Sequence, residues 1–507
     1  MTDLSTEAAV TVGGKPSCPP QARKYVLSAA ILATSMGFID GSVVSLATPA
    51  IRADLGASLA DAQWISNAYM LFLSALVLTG GAAGDVFGVR NIFGIGVTLF
   101  MVTSVLCALA PDENTLIIMR GAQGIGAALM VPGSLSLIAK SYPSEIRGRA
   151  IGTWAAFSSI TTAFGPMLGS LVLSFGEPWM WRLIFAINAP VGLIVLAMLF
   201  AKVPADPPGD GRRLDHIGAL LATAGLGSIA WGLTSLGVDA EAKFVPAWAW
   251  LAAGVVLAAA FLSWERRASA PMVRLDLFQS AAFSGANLYT LILFFAFHAI
   301  LFYLPMTLIG GWGVIEWQAS LMFLPMSIFI GGFSRQAGAL ADRIGPKWPL
   351  VAGASCVSLS YVLLAATMPL MNLWEVVFPI MLLNGAGMAM LVSPLSTAVM
   401  QAAPDRDAGL ASGINNAIAR SAGLMSVAAF GALAALAYGS RSTAAGSEAG
   451  FGEKLSAGVS ASAAQMHAAA SNSAFQAIAI GCAIACAVAA VIAFFTQPSN
   501  KGSRRSA

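Results

Sequence analysis

The chain has 507 residues, of which 57% are hydrophobic and only 10% are charged. Soluble proteins carry about 25% charged residues, so this composition excludes a soluble enzyme as the main body, and it excludes disorder with it. The 27 Lys and Arg nearly balance the 24 Asp and Glu, leaving a net charge of +3, which excludes a dominant basic surface for nucleic acid.

Residues 1–24 are polar, carry Pro16, Pro19 and Pro20, and lack the apolar core of a signal peptide, so they are expected to form a cytoplasmic tail. Fourteen apolar runs follow, each near the ~20 residues that a membrane-crossing helix needs. Six fall at 25–50, 62–83, 90–110, 114–138, 150–175 and 180–201 and build an N-terminal bundle over 25–201. Two, at 215–237 and 246–264, lie in an inserted segment spanning 202–279. The last six, at 280–309, 317–341, 348–369, 373–398, 408–437 and 474–496, build a C-terminal bundle over 280–496, and 497–507 form a second cytoplasmic tail. The expected fold is all-α and integral to the membrane: two six-helix bundles plus two inserted helices.

With the N-terminus inside, 19 Lys and Arg fall on inside segments and 5 outside, while Arg120, Arg335 and Arg420 lie within apolar runs. That bias places both termini in the cytoplasm of a multi-pass cell-membrane protein. Segment 438–473 is rich in Ala, Ser and Gly and is expected to be an outside linker holding at most a short helix, with His467 alone in it. The five cysteines are scattered, four of them in apolar runs, and form neither a disulfide framework nor a metal spacing. No phosphate-cradling glycine-rich motif occurs, so no nucleotide cofactor is expected and the proton gradient is the expected drive.

The chain repeats itself. Gly81-Ala-Ala-Gly84-Asp85-Val-Phe-Gly88-Val-Arg90 matches Gly338-Ala-Leu-Ala341-Asp342-Arg-Ile-Gly345-Pro-Lys347 at an offset of 257 residues. Gly124-Ile-Gly126 matches Gly385-Ala-Gly387 at 261, and Gly152 with Gly413 keeps that offset. Parallel repeats of this kind put a binding site between the halves near the bilayer midplane. Short loops favour glycine, an aspartate at the helix end is placed to accept from a helix N-terminus or an Arg, and Arg90 and Lys347 are expected to face the anionic leaflet.

These residues resemble the major facilitator superfamily. Gly81–Arg90 resembles its loop between spans two and three, and Arg120-Gly-Ala-Gln123-Gly124-Ile-Gly126 its span-four motif. Gly165-Pro166-Met-Leu-Gly169 resembles the span-five motif of antiporters, although Ser170 follows where a second Gly is common. Phe38-Ile39-Asp40 through Pro49 resembles the span-one motif of drug:proton antiporters, and Trp181-Arg182 through Gly192 the start of span six in the fourteen-span branch. The resemblance covers about residues 25–496 and implies a multidrug efflux transporter of the major facilitator fold, working as a monomer, not an enzyme.

Asp40 lies about 15 residues, or about 22 Å, into the first span. A central carboxylate costs roughly 2.5–3.5 kcal/mol to insert, and such groups are usually functional. It is the expected proton-coupling site, with Arg120 as its partner, and Gln123, on the same face at i+3, is a candidate substrate or cavity residue. Arg120 aligns with Met381 in the second half, so the fold itself does not require the charge. Arg420, with Asn416 four residues before it, is a candidate cavity residue or a brace between halves, and Arg335 is close enough to the cytoplasmic end to snorkel. His298, among Phe294, Phe295, Phe297, Phe302 and Tyr303, is a candidate substrate contact or a packing residue. Met306, Met322, Met326, Met388 and Met390 lend an adaptable wall or simple core. Gly81, Asp85, Gly88, Arg90, Gly165, Pro166, Gly169 and Asp342 are candidate gating residues, Pro166 by kinking span five and the two glycines by close packing.

The leading reading is a proton-coupled secondary transporter that exports amphipathic small molecules by alternating access. A narrow-specificity metabolite transporter and a non-transporting sensor or scaffold stay open. The single deep acid suits a monocationic substrate, or it is occupied by protons alone.

Overall fold

A computed structural model describes residues 18–175, 177–204, 214–236, 245–404, 407–442, 450–455 and 459–499. Among them the chain forms α1 (Pro20–Leu55), α2 (Leu59–Phe87), α3 (Val89–Ala108), α4 (Glu113–Ser141), α5 (Ser144–Leu173), α6 (Trp181–Ala186), α7 (Asn188–Lys202), α8 (His216–Ser235), α9 (Ala247–Glu265), α10 (Ala281–Met306), α11 (Glu316–Leu321), α12 (Leu324–Ile344), α13 (Lys347–Thr367), α14 (Phe378–Gln401), α15 (Ala408–Ser442) and α16 (Ala461–Thr496), with no strand. Every apolar run becomes helix, the sixth shared by α6 and α7 and the tenth by α11 and α12. Twelve helical segments are long and apolar enough to cross a membrane. α5 and α12 are not among the twelve; Arg335 and Gln336 dilute the apolar run of α12.

Three boundaries differ from expectation. α1 starts at Pro20, where a proline at the first helical position has no amide to leave unsatisfied, so 20–24 are helix rather than tail. α16 starts at Ala461, capped by Ser460, which accepts from the Ala463 amide at 3.3 Å; residues 461–473 are therefore helix rather than linker. α15 runs on to Ser442. Of the rest of that expected linker, 443–449 and 456–458 lie outside the described residues, as do tail residues 1–17 and 500–507.

The helices alternate in direction, so α1 begins and α16 ends at one end of the molecule, called here the terminal end. α1 packs on α4, α5 and α7, and α4 fits between α2 and α3. In the second half α10 packs on α15 and α16, and α14 fits between α12 and α13. The glycine repeat explains the match. A Cβ on Gly124 would lie against the Tyr69 carbonyl of α2, and one on Gly385 would lie 2.9 Å from Met326 Cα of α12. Gly88 and Gly345 both break their helices at positive φ, 92° and 86°, which a side chain disfavours. Arg90 lies 5.0 Å over the Phe200 ring and donates to the Phe200 carbonyl at 3.1 Å, at the end of α7. Lys347 lies 3.9 Å over Phe494, at the end of α16. These cations therefore hold helix ends together instead of only facing lipid headgroups.

α8 and α9 pack on each other, and α8 lies on α2 and α15, where Leu71, Ala230, Leu424 and Ala428 form a small buried cluster across the halves. α9 buries only Gly254 and Glu265. A helix that exposes apolar side chains all round belongs against lipid.

Candidate functional site

Asp40 sits midway along α1 and is 1% exposed. Arg120 Nη1 donates to Asp40 Oδ2 at 2.5 Å, and Gln123 Nε2 donates to Asp40 Oδ1 at 3.0 Å, so both carboxylate oxygens are held by α4. Arg120 makes further bonds nearby: Nε to the Ile65 carbonyl at 3.0 Å and Nη1 also to Gln123 Oε1 at 2.6 Å. Its guanidinium lies 4.4 Å over the Tyr69 ring. A buried ion pair is stable only when such extra bonds satisfy both partners, because desolvating the charges costs several kcal/mol. The expected pair of Asp40 and Arg120 is thus one cluster, and Gln123, expected as a cavity residue, is instead fully buried and spent on that pair.

The sequence reading missed how the cluster is anchored. Ser104 of α3 accepts from Gln123 Nε2 at 3.1 Å and from Asn188 Nδ2 at 2.8 Å, and donates to the Phe185 carbonyl at 3.0 Å. Asn188 belongs to the span-six motif, which the same network now explains. Trp181 and Arg182 of that motif bind Asp54 Oδ2, at 2.9 and 3.1 Å, and so fix the far end of α1.

Gly165 and Gly169 of α5 face α1. A Cβ on Gly165 would lie 2.8 Å from Ile39 Cγ1, beside Asp40, and one on Gly169 would collide with Val43. α5 continues as one helix through position 166; the Pro166 side chain lies outside the described residues. Ser170, where the family pattern has a second Gly, donates to Ser320 of α11 at 2.8 Å across the halves.

The far end is closed by several such ties. Arg52, 4% exposed, donates to the Phe451 carbonyl and to Glu453 Oε1, both at 2.5 Å. Gln63 donates to Tyr303 Oη at 3.1 Å, and the Trp317 amide to Ser174 Oγ at 3.3 Å. His467, far from being alone, is buried against Tyr438 Oη at 2.7 Å and the carbonyls of Gly310 and Glu453.

The terminal end is open. A cavity of about 1140 Å³ separates α2, α4 and α5 from α15 and the stretch before α10, lined among others by Gly81, Asp85, Trp154, Arg274 and Asn416. Asp85 pairs with Lys140 at 3.1 Å rather than with a helix N-terminus or an Arg, and Asp342 is exposed. Gly81 has ordinary room beside Pro132; the close approach falls on Gly80, whose Cβ would collide with the Ala128 carbonyl. Deeper lies a pocket of about 160 Å³, lined by Ser45, Tyr69, Arg120, His298, Met326 and Gly423 among others. His298 Nδ1 donates to the Phe294 carbonyl at 2.8 Å, which leaves Nε2 as its acceptor. Arg420 Nε donates to Asn416 Oδ1 at 3.2 Å. Arg335 is exposed, as a snorkelling side chain would be.

The sequence signature of the Major Facilitator Superfamily matches residues 30–427. The chain is 32% identical over 401 residues, 76% of its length and 72% of the relative's, to the multidrug resistance protein Stp of Mycobacterium tuberculosis (strain CDC 1551 / Oshkosh). It is 31% identical over 427 residues, 82% of its length and 76% of the relative's, to the tetracenomycin C resistance and export protein of Streptomyces glaucescens. Among solved structures, a bacterial homolog of the human lysosomal transporter Spinster, inward-facing and unoccupied, superposes with a TM-score of 0.69 at 17% identity, over 94% of this chain and 98% of that one.

Proposed function

Since this chain belongs to the Major Facilitator Superfamily and is a multi-pass membrane transporter, we propose that it exports amphipathic small molecules in exchange for protons. Asp40 would be the proton site and Arg120 its sensor. The observation that carries this reading is the placement of one fully held carboxylate at the middle of α1, with its cationic partner on another helix of the same bundle. A proton taken up by Asp40 removes the charge that Arg120 holds, and α1 and α4 are then free to shift relative to each other. Relatives named for multidrug resistance and for tetracenomycin C export support the direction and the class of cargo.

The positive-inside bias supports a cytoplasmic terminal end in the cell's inner membrane. The cavity then faces the cytoplasm, and the ion-paired Asp40 corresponds to the state that has given up its proton there. The bundles 25–201 and 280–496 would rock about the inner pocket, closing the terminal end and releasing the ties of Arg52 and Ser170. One chain would suffice, because both halves of the gate belong to it.

The test is dye efflux from energised cells that lack their own pumps. Wild type should lower accumulation of several unrelated dyes, and both a protonophore and Asp40→Asn should abolish the effect. Correctly inserted protein that moves none of them would replace this reading with a narrow-specificity transporter.

A further inference from the structure

Asp85, Asp215, Asp407 and Arg274 line the open cavity, but deeper along the path the charges are one-sided. Asp40 is not available to a substrate: its side chain is 0% exposed, and both oxygens are taken by Arg120 and Gln123. Arg420 on α15 is different. Among the described residues no carboxylate lies within ion-pair distance of it; its side-chain bond is to neutral Asn416, and the titratable groups that feel its charge are Tyr69 and His298. Asn416, one turn towards the mouth, lines the open cavity, and Gly423, one turn deeper, lines the inner pocket. Arg420 shares their face of α15, between the two, although it lines neither. The inner pocket is lined by Arg120, which Asp40 already pairs, and by Ser, Tyr, His, Met, Phe, Leu and Val side chains, but by no Asp or Glu.

A cation entering this pocket would meet an uncompensated positive charge in surroundings of low dielectric, where like charges repel strongly. An anion would supply the missing counter-charge and a bidentate acceptor for the guanidinium fork, as carboxylates and sulfonates do. The aromatic and methionine walls suit an apolar body. We propose that the exported cargo is an amphipathic organic anion, its acidic group received by Arg420 and its apolar body by the pocket around Tyr69 and His298. This rests on the exporter reading and reverses the monocation suggested by the sequence, because the one deep acid is already paired. A membrane potential negative inside would then drive both the outgoing anion and the incoming proton.

Two dyes with the same xanthene body test it: sulforhodamine B, a net anion, and rhodamine 6G, a cation. Uptake is followed in inverted membrane vesicles with an acidified lumen, with vesicles from cells lacking the protein as the leak control. Wild type should concentrate sulforhodamine B, Arg420→Gln should lose this by roughly tenfold or more, and Arg420→Lys, which keeps the charge but not the fork, should restore only part of it. Uptake of rhodamine 6G alone, unchanged in Arg420→Gln, would overturn the anion proposal and leave the exporter standing. If wild type moves neither dye, the exporter reading falls and this inference falls with it.

Discussion

Arg120 on α4 and Asp40 on α1 form an ion pair at 2.5 Å, with side chains 1% and 0% exposed. Neither charge has another ionised partner among the described residues. Arg120→Ala would leave Asp40 ionised and unpaired in the bundle, at a cost of about 3–5 kcal/mol. The purified variant should unfold at clearly lower temperature than wild type, and adding Asp40→Asn should recover most of the loss. A double variant no more stable than the single one would mean that the pair is not what Arg120 stabilises.

Ser170 and Ser320 are 2.8 Å apart across the closed far end. With the native cysteines replaced, Ser170→Cys/Ser320→Cys should cross-link under mild oxidation, stop transport, and recover with reductant. Proteolysis between the halves followed by gel mobility reads the cross-link. Transport at the full rate with the bond formed would show that the far end does not need to open there.

Gly88 and Gly345 adopt φ of 92° and 86° with extended ψ, a region essentially reserved for glycine. Replacing either with Ala should destabilise the protein by about 1–3 kcal/mol. Gly81→Ala should be mild by comparison, since its Cβ would sit 3.6 Å from Pro132. Equal losses in all three would remove the backbone explanation for the repeated loop.

Asp215 Oδ2 and Glu265 Oε1 converge over Gly218, where a Cβ would lie 2.5 and 2.7 Å from them, and as carboxylates neither can donate to the other. Glu265→Gln supplies an amide donor between them. Thermal unfolding at neutral pH should show a gain of about 0.5–1.5 kcal/mol, the usual net worth of one hydrogen bond. A loss of stability would mean that the pair is held by something the glutamine cannot replace.

Much of the fold was legible in the sequence because the bilayer imposes a length and a composition on every helix. Each expected run became helix, and the offsets of 257 and 261 became matching helix contacts, with Gly124 against α2 and Gly385 against α12. Asp40 and Arg120 were legible because buried charge is rare enough to be paired by inspection. What escaped depends on contacts between distant segments. Ser104 and Asn188 are ordinary polar residues until α3, α4 and α7 meet. His467 lies in an Ala-rich stretch whose sequence does not reveal that it packs under Gly310 and Tyr438. Gly80 and Gly81 are adjacent, about 100° apart around the helix, which a motif cannot resolve without knowing which face meets α4.

Proton exchange in proteoliposomes tests the central claim, that Asp40 carries the transported proton. Substrate moved outward should drive measurable proton movement in the opposite direction in wild type. Asp40→Asn should let substrate equilibrate down its own gradient, with no proton movement and no accumulation against a gradient. Proton-driven uphill transport by Asp40→Asn at the wild-type rate would contradict the account.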